Sequence, residues 1–294
     1  MFLQQLVNGI TQGGTYALIA VGYTLIFGVL EIINMAHGEL FMVGGMVGYY
    51  VVAHLHLGIV PALLGAMLGA AVAGLVLEVT ALRPLRRKGA SNLAPLISTI
   101  GLGMVIENLM IRVAGAESLS LRVPLADGVL HLGPLMVTTT ELVVLAVSIL
   151  LMLLLQWALT RTRLGRAVRA VSENQETAAL LGVNVSAVVL AVVLAASALG
   201  GAAGLLVGIS FVSVSATMGL AYGLKGLAVI ILGGLGNVKG AVVGGLLVGV
   251  LEALTVAYGG SSYRDAIAFG FLFLVLVVRP GGLFGNQSAV TGRS

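Results

Sequence analysis

The sequence contains no cysteine, and only 9% of its 294 residues are charged. The first absence excludes disulfides, thiol nucleophiles and cysteine-ligated zinc or iron–sulfur sites. The second excludes a soluble globular fold, which at this length carries roughly 25% charged residues. With 59% of residues hydrophobic, too little polar surface remains to cover an apolar core. No charge-rich stretch is long enough to form a soluble domain. The dipeptide Gly-Lys never occurs, so no phosphate-binding P-loop can form and the chain does not hydrolyse ATP by itself. The His-Glu-x-x-His and Gly-x-Ser-x-Gly signatures are also missing. No Lys or Arg precedes Arg83, so MFLQQLVNGITQGG has no basic leader; it also has no small-residue cleavage site. It reads as a retained first helix rather than a signal peptide. The formal net charge of +4 fits basic cytoplasmic loops better than a nucleic-acid surface.

What is present is a series of apolar runs near the roughly 20 residues that a membrane-crossing helix needs. They are Gly9–Leu30, Ala36–Ala53, Ile59–Leu82, Leu93–Val113, Thr138–Leu159, Ala187–Ile209, Ala241–Ala257 and Ala266–Val278. Ala221–Leu235 is shorter and glycine-rich, and either crosses or re-enters. The fold class expected is an all-α polytopic membrane protein of eight or nine transmembrane helices, forming one domain over residues 1–294. The basic stretches RPLRRKG and RTRLGRAVRA place both loops in the cytoplasm. Counting back puts the N-terminus outside, and Arg279 and Arg293 put the C-terminus inside, which favours an odd number of crossings. Many of the 42 glycines recur at four-residue spacing, as in Gly200/Gly204/Gly208, which lets helix backbones approach closely. A faint internal similarity links the helices following Asn34 and Asn237.

Polar residues inside such a chain are candidates for function, because ionisable groups in spans are costly. NMAHGELFMVGG places Asn34, His37 and Glu39 close together. His37 and Glu39 point about 200° apart on a helix and do not form one site. Asn34 suits a helix N-cap and Glu39 complements the helix dipole, while His37 has no such explanation. Either capping, or a role in subunit packing or in a gate at the cytoplasmic side, accounts for the group. Gln12, Thr15 and Tyr16, beside a Gly-Gly pair, suit the path of a zwitterionic solute. Glu78 and Glu252 lie near helix ends and could snorkel; Glu107 and Asn108 lie deeper, toward the outer end of their span. His54 and His56 cannot complete a metal site alone.

Residues 160–185 form a long connector without proline and with helix-forming composition. Ala167, Ala170, Val171, Asn174 and Ala178 make a weakly apolar stripe beside a face carrying Arg166, Arg169, Glu173 and Glu176. Such a helix lies on lipid or docks another protein. The stripe is mostly alanine and lacks bulky anchors, which suits a protein groove better than a bilayer.

Four blocks resemble the permease subunits of bacterial branched-chain amino acid ABC transporters, specifically the shorter of the two permease types. They are YALIAVGYTLIFGVLEIINMAHGELFMVGG, RTRLGRAVRAVSENQETAALLGV, GLKGLAVIILGGLGNVKGAVVGGLLVG and RPGGLFG, and they span nearly the whole chain. The resemblance implies a multi-pass subunit of the bacterial inner membrane, embedded in lipid and without catalysis or cofactor of its own. Its implied partners are a second homologous permease, two cytoplasmic ATPases that bind the ATP, and an extracytoplasmic binding protein delivering Leu, Ile or Val. Glu176, Ala178, Ala179 and Gly182 resemble the family's Glu-Ala-Ala…Gly ATPase-docking pattern, although Thr177 intervenes. The alternative is a proton- or sodium-coupled secondary transporter, which would need an intramembrane carboxylate such as Glu107.

Overall fold

The computed structural model describes residues 2–91, 93–123, 128–132 and 135–285. Arg293 lies outside the described residues. Among the described residues twelve α-helices run in order: α1 (Phe2–Leu30), α2 (His37–Ala53), α3 (Ile59–Leu77), α4 (Arg83–Arg87), α5 (Leu93–Ala114), α6 (Thr139–Arg161), α7 (Arg163–Glu173), α8 (Gln175–Leu180), α9 (Val185–Ser210), α10 (Met218–Gly233), α11 (Val238–Tyr258) and α12 (Arg264–Val278). Seven helical segments among the described residues are long and apolar enough to cross a membrane, and the chain is a multi-pass membrane protein. The helices α2 and α10 are shorter, at 17 and 16 residues. At 1.5 Å per residue these span about 24–26 Å, less than a hydrocarbon layer of about 30 Å.

Two departures from regular helix stand out. A π-helical turn at Glu78–Leu82 joins α3 to α4. Between α5 and α6 the strands β1 (Val129–Leu132) and β2 (Leu135–Thr138) pair antiparallel, so the chain is not wholly helical. The hairpin leads straight into α6 through a capping box: Thr138 Oγ1 accepts from the Glu141 N–H, and the Glu141 carboxylate accepts from the Thr138 N–H.

Helix α1 is the axis of the bundle, buried through most of its length between α9, α10 and α11. Glycines make this possible. A Cβ on Gly13 would run into the backbone of Gly245 and Leu246, and one on Gly44 into that of Gly201, so α1–α11 and α2–α9 pack backbone to backbone. By contrast α5, α6 and α12 bury little of their surface within this chain.

The two ends of the bundle are marked by contacts of α1. Gln4 exchanges two hydrogen bonds with the Met136 backbone in the hairpin. At the other end Gln175, in the connector, donates to the Val29 carbonyl at 2.9 Å. The segment after α12 returns to this second end, where the Leu283 N–H donates to the Leu232 carbonyl at 2.8 Å.

Candidate functional site

Glu252 on α11 is the hub of an ion cluster that draws on four helices. Its side chain is fully buried, and a lone carboxylate there would be strongly unfavourable. Two cations and a hydroxyl compensate it. The Tyr16 hydroxyl from α1 donates to Oε2 at 2.7 Å, and Arg264 Nε from α12 meets the same oxygen at 2.5 Å. A second guanidinium nitrogen of Arg264 donates to the Tyr16 oxygen at 2.7 Å, and Gln12 Nε2 donates to it at 3.1 Å. Lys225 from α10 places Nζ 3.0 Å from Glu252 Oε1 and 2.7 Å from Asp265 Oδ1. The Lys225 ammonium also lies 5.7 Å from the ring centres of both Tyr16 and Tyr222. Two cations and two anions therefore balance.

The structure brings Gln12 and Tyr16 into this cluster. Thr15 stays out of it: its hydroxyl turns back to the Gln12 carbonyl of its own helix. Glu252 does not snorkel to a helix end but is held inside the bundle. Glu78 likewise is buried and paired with Arg86 at 2.6 Å. Sequence reading missed Lys225, Arg264 and Asp265. A signal existed for Lys225, an ionisable residue inside an apolar helix.

Asn34, His37 and Glu39 are all buried, at a depth that differs from expectation. His37 lies against Gly22, two turns before the end of α1, so α2 begins inside the bundle rather than at its edge. The connecting residues 31–36 climb back alongside α1 without helical structure. Asn34 is not the N-cap. That position is Ala36, which has no side-chain cap, and Asn34 Oδ1 accepts from the Ala36 N–H at 3.1 Å. The His37 ring packs on Tyr23 with centres 4.4 Å apart, between Gly22 and Gly200, and neither ring nitrogen has a hydrogen-bond partner among the described residues. Tyr23 in turn donates to the Gly223 carbonyl at 3.1 Å. Glu39 faces the other way. Its carboxylate rests on Gly219 in the first turn of α10, where the helix dipole favours an anion, and its stem is flanked by Gly103 of α5. Among the described residues no three His, Asp or Glu side chains group to hold a metal ion.

The connector forms two helices. Thr162 caps α7 through the Gly165 N–H at 3.0 Å, and Asn174 caps α8 through the Thr177 N–H at 2.8 Å. The small-residue stripe turns inward only in part: Val171 and Ala178 are buried, Ala167 and Ala170 half-buried and Asn174 exposed, and Gly165 and Val168, outside that stripe, are buried where α7 packs on α1, α6 and α9. Ala178 is therefore closed to an outside partner. Arg169 is exposed yet tied internally, donating to the Leu159 carbonyl at the end of α6. Arg166, Glu173, Glu176, Ala179 and Gly182 are exposed. Gly182 ends α8 at φ +84°, a left-handed turn that suits glycine. Leu180 and Leu181, which sequence reading did not single out, are 89% and 78% exposed at this tip.

Glu107 is half-buried on α5 and Asn108 exposed, on a helix that touches the rest of the chain mainly at α2 and the π-turn. A groove of about 460 Å³ between α1, α6 and α11 is lined mostly by apolar side chains, including Ile10, Leu145 and Leu246, with Gln156 and Lys239 its polar members.

Comparison with known proteins adds to this geometry. A family profile described as branched-chain amino acid transport system / permease component matches residues 5–276. The high-affinity branched-chain amino acid transport system permease protein LivH of Salmonella typhimurium is 36% identical over 298 residues, covering 97% of this chain and 96% of the relative. The corresponding protein BraD of Pseudomonas aeruginosa is 35% identical over 297 residues, with the same coverage. The ribose import permease protein RbsC of Escherichia coli matches 42% of this chain at 30% identity. No solved structure matches.

Proposed function

This chain belongs to the branched-chain amino acid transport permease family, and from that premise we propose that it is the channel-forming subunit of an ATP-driven importer of Leu, Ile or Val or related small solutes. It sits in the bacterial inner membrane and crosses it nine times, with α2 and α10 as short crossings, the hairpin end outside and the α7–α8 end in the cytoplasm. A binding protein delivers solute at the hairpin end. A second, homologous permease covers the sparsely packed α5, because Glu107 and Asn108 are poorly suited to contact lipid chains. Two ATPase subunits bind the α7–α8 tip and hydrolyse ATP.

The observation that carries this reading is the tip of α8. Leu180 and Leu181 stand almost free of their own chain, while Ala178 on the same helix is anchored inward and Gln175 is hydrogen-bonded to the end of α1. An exposed apolar tip on a rigidly attached short helix is a surface for a partner. A push there is transmitted to the axial helix, so a partner that binds two permease conformations with different affinity shifts their populations.

The test uses the absence of native cysteine. A single Glu176→Cys crosslinks to an ATPase subunit in the co-expressed complex, and Glu176→Arg abolishes ATP-dependent uptake of branched-chain amino acids. Uptake that follows a proton or sodium gradient instead, and fails with Glu107→Gln, would establish the secondary-transporter alternative.

A further inference from the structure

The cluster around Glu252 contains more positive charge than Glu252 uses. Its Oε2 is satisfied by two donors with hydrogen-bond geometry, Tyr16 and Arg264. Lys225 approaches Oε1 at 3.0 Å without hydrogen-bond geometry, and Oε1 remains buried with no hydrogen-bond donor. The same ammonium lies 2.7 Å from Asp265, whose side chain is 64% exposed. Lys225 is thus a nearly buried cation, 10% exposed, whose buried partner is already neutralised and whose other partner is open to the outside of this chain.

A pair of this kind can be exchanged. A zwitterion carries an anion and a cation on one carbon. Its carboxylate can replace Asp265 at Lys225 Nζ while its ammonium takes the Asp265 carboxylate. One ion pair becomes two, and in the exchanged state every charge has a partner of opposite sign. Glu252 stays paired with Arg264 throughout, so the hub survives the exchange. The Glu252–Arg264 pair differs in having a fully buried carboxylate bound by a charge-assisted hydrogen bond, whereas the Asp265 carboxylate on Lys225 is open. The tyrosine faces beside Nζ hold the ammonium in place without supplying a competing anion.

We propose that Lys225 and Asp265 form the site at which the permease takes in the backbone charges of an amino-acid zwitterion. This rests on the importer reading above and assigns the groups that handle the solute. The site reads the charges common to amino acids and leaves the choice of side chain elsewhere.

The experiment reconstitutes the complete complex, with ATPases, homologous permease and binding protein, in proteoliposomes. It measures leucine imported per ATP hydrolysed. Lys225→Met and Asp265→Asn are each expected to lower this ratio at least tenfold, and Lys225→Arg to retain most of it. Asp265 is exposed enough that its substitution leaves assembly intact even if Lys225→Met does not. An unchanged ratio in Asp265→Asn, whether the rates hold or fall together, overturns the assignment and leaves the pair a structural latch. A wild-type complex that imports no leucine with ATP overturns the importer reading and this inference with it.

Discussion

The Tyr16 hydroxyl reaches Glu252 Oε2 at 2.7 Å, joining residues 236 positions apart inside the bundle. The bond makes α1 and α11 share one charge, and Arg264 brings α12 to the same point. Glu252→Ala leaves Lys225 and Arg264 without the anion between them, and breaking a buried pair in this way costs about 3–5 kcal/mol. Tyr16→Phe removes the hydroxyl that donates to Glu252 and accepts from Arg264 and Gln12 but leaves the Glu252–Arg264 ion pair in place; a hydrogen bond to a charged group is worth about 1.5–3 kcal/mol. Thermal unfolding of the detergent-solubilised protein should rank Glu252→Ala as the less stable of the two. The opposite order would show that Glu252 is not the hub.

His37 and Gly22 test the depth of α2. A Cβ on Gly22 would collide with the His37 imidazole. Overpacking of this kind costs about 1–3 kcal/mol. Gly22→Ala should therefore lower the unfolding temperature, and His37→Ala in the same chain should recover part of the loss. Strictly additive losses in the double variant would separate the two residues.

The tip of α8 should behave as surface. Leu180→Asp changes a side chain that touches almost nothing in its own chain, so its effect on folding should stay within about 0.5 kcal/mol. Co-purification of the ATPase should nevertheless fall at least tenfold. Undiminished co-purification would place the docking surface elsewhere.

Ala178 and Ala179 are adjacent and face opposite ways, one buried and the other exposed. Ala178→Glu forces a charge into the buried side of α8, which packs on α7 and α9, and should reduce the yield of folded protein. Ala179→Glu should fold normally and weaken only the association with the ATPase. Equal yields for both would mean that α8 is turned differently on its neighbours.

The amino-acid sequence by itself determined the membrane class, the approximate spans, the position of the connector and the family. These follow from composition and local periodicity, which act over a turn or a span and do not depend on which helix lies alongside. The hairpin was less legible, since short alternating strands beside a helix cap give only a weak signal. Only the tertiary structure decided how the polar residues are used. In the sequence Glu252 reads as a residue near a helix end, and Lys225 and Arg264 draw no reading at all. With Asp265 they become a balanced cluster because α10, α11 and α12 meet at Tyr16 of α1. The partial inward turn of the alanine stripe and the interior start of α2 have the same origin. A helix's own periodicity says which residues share a face, while the energy of burying that face depends on the partner across it, and that partner lies far away in sequence.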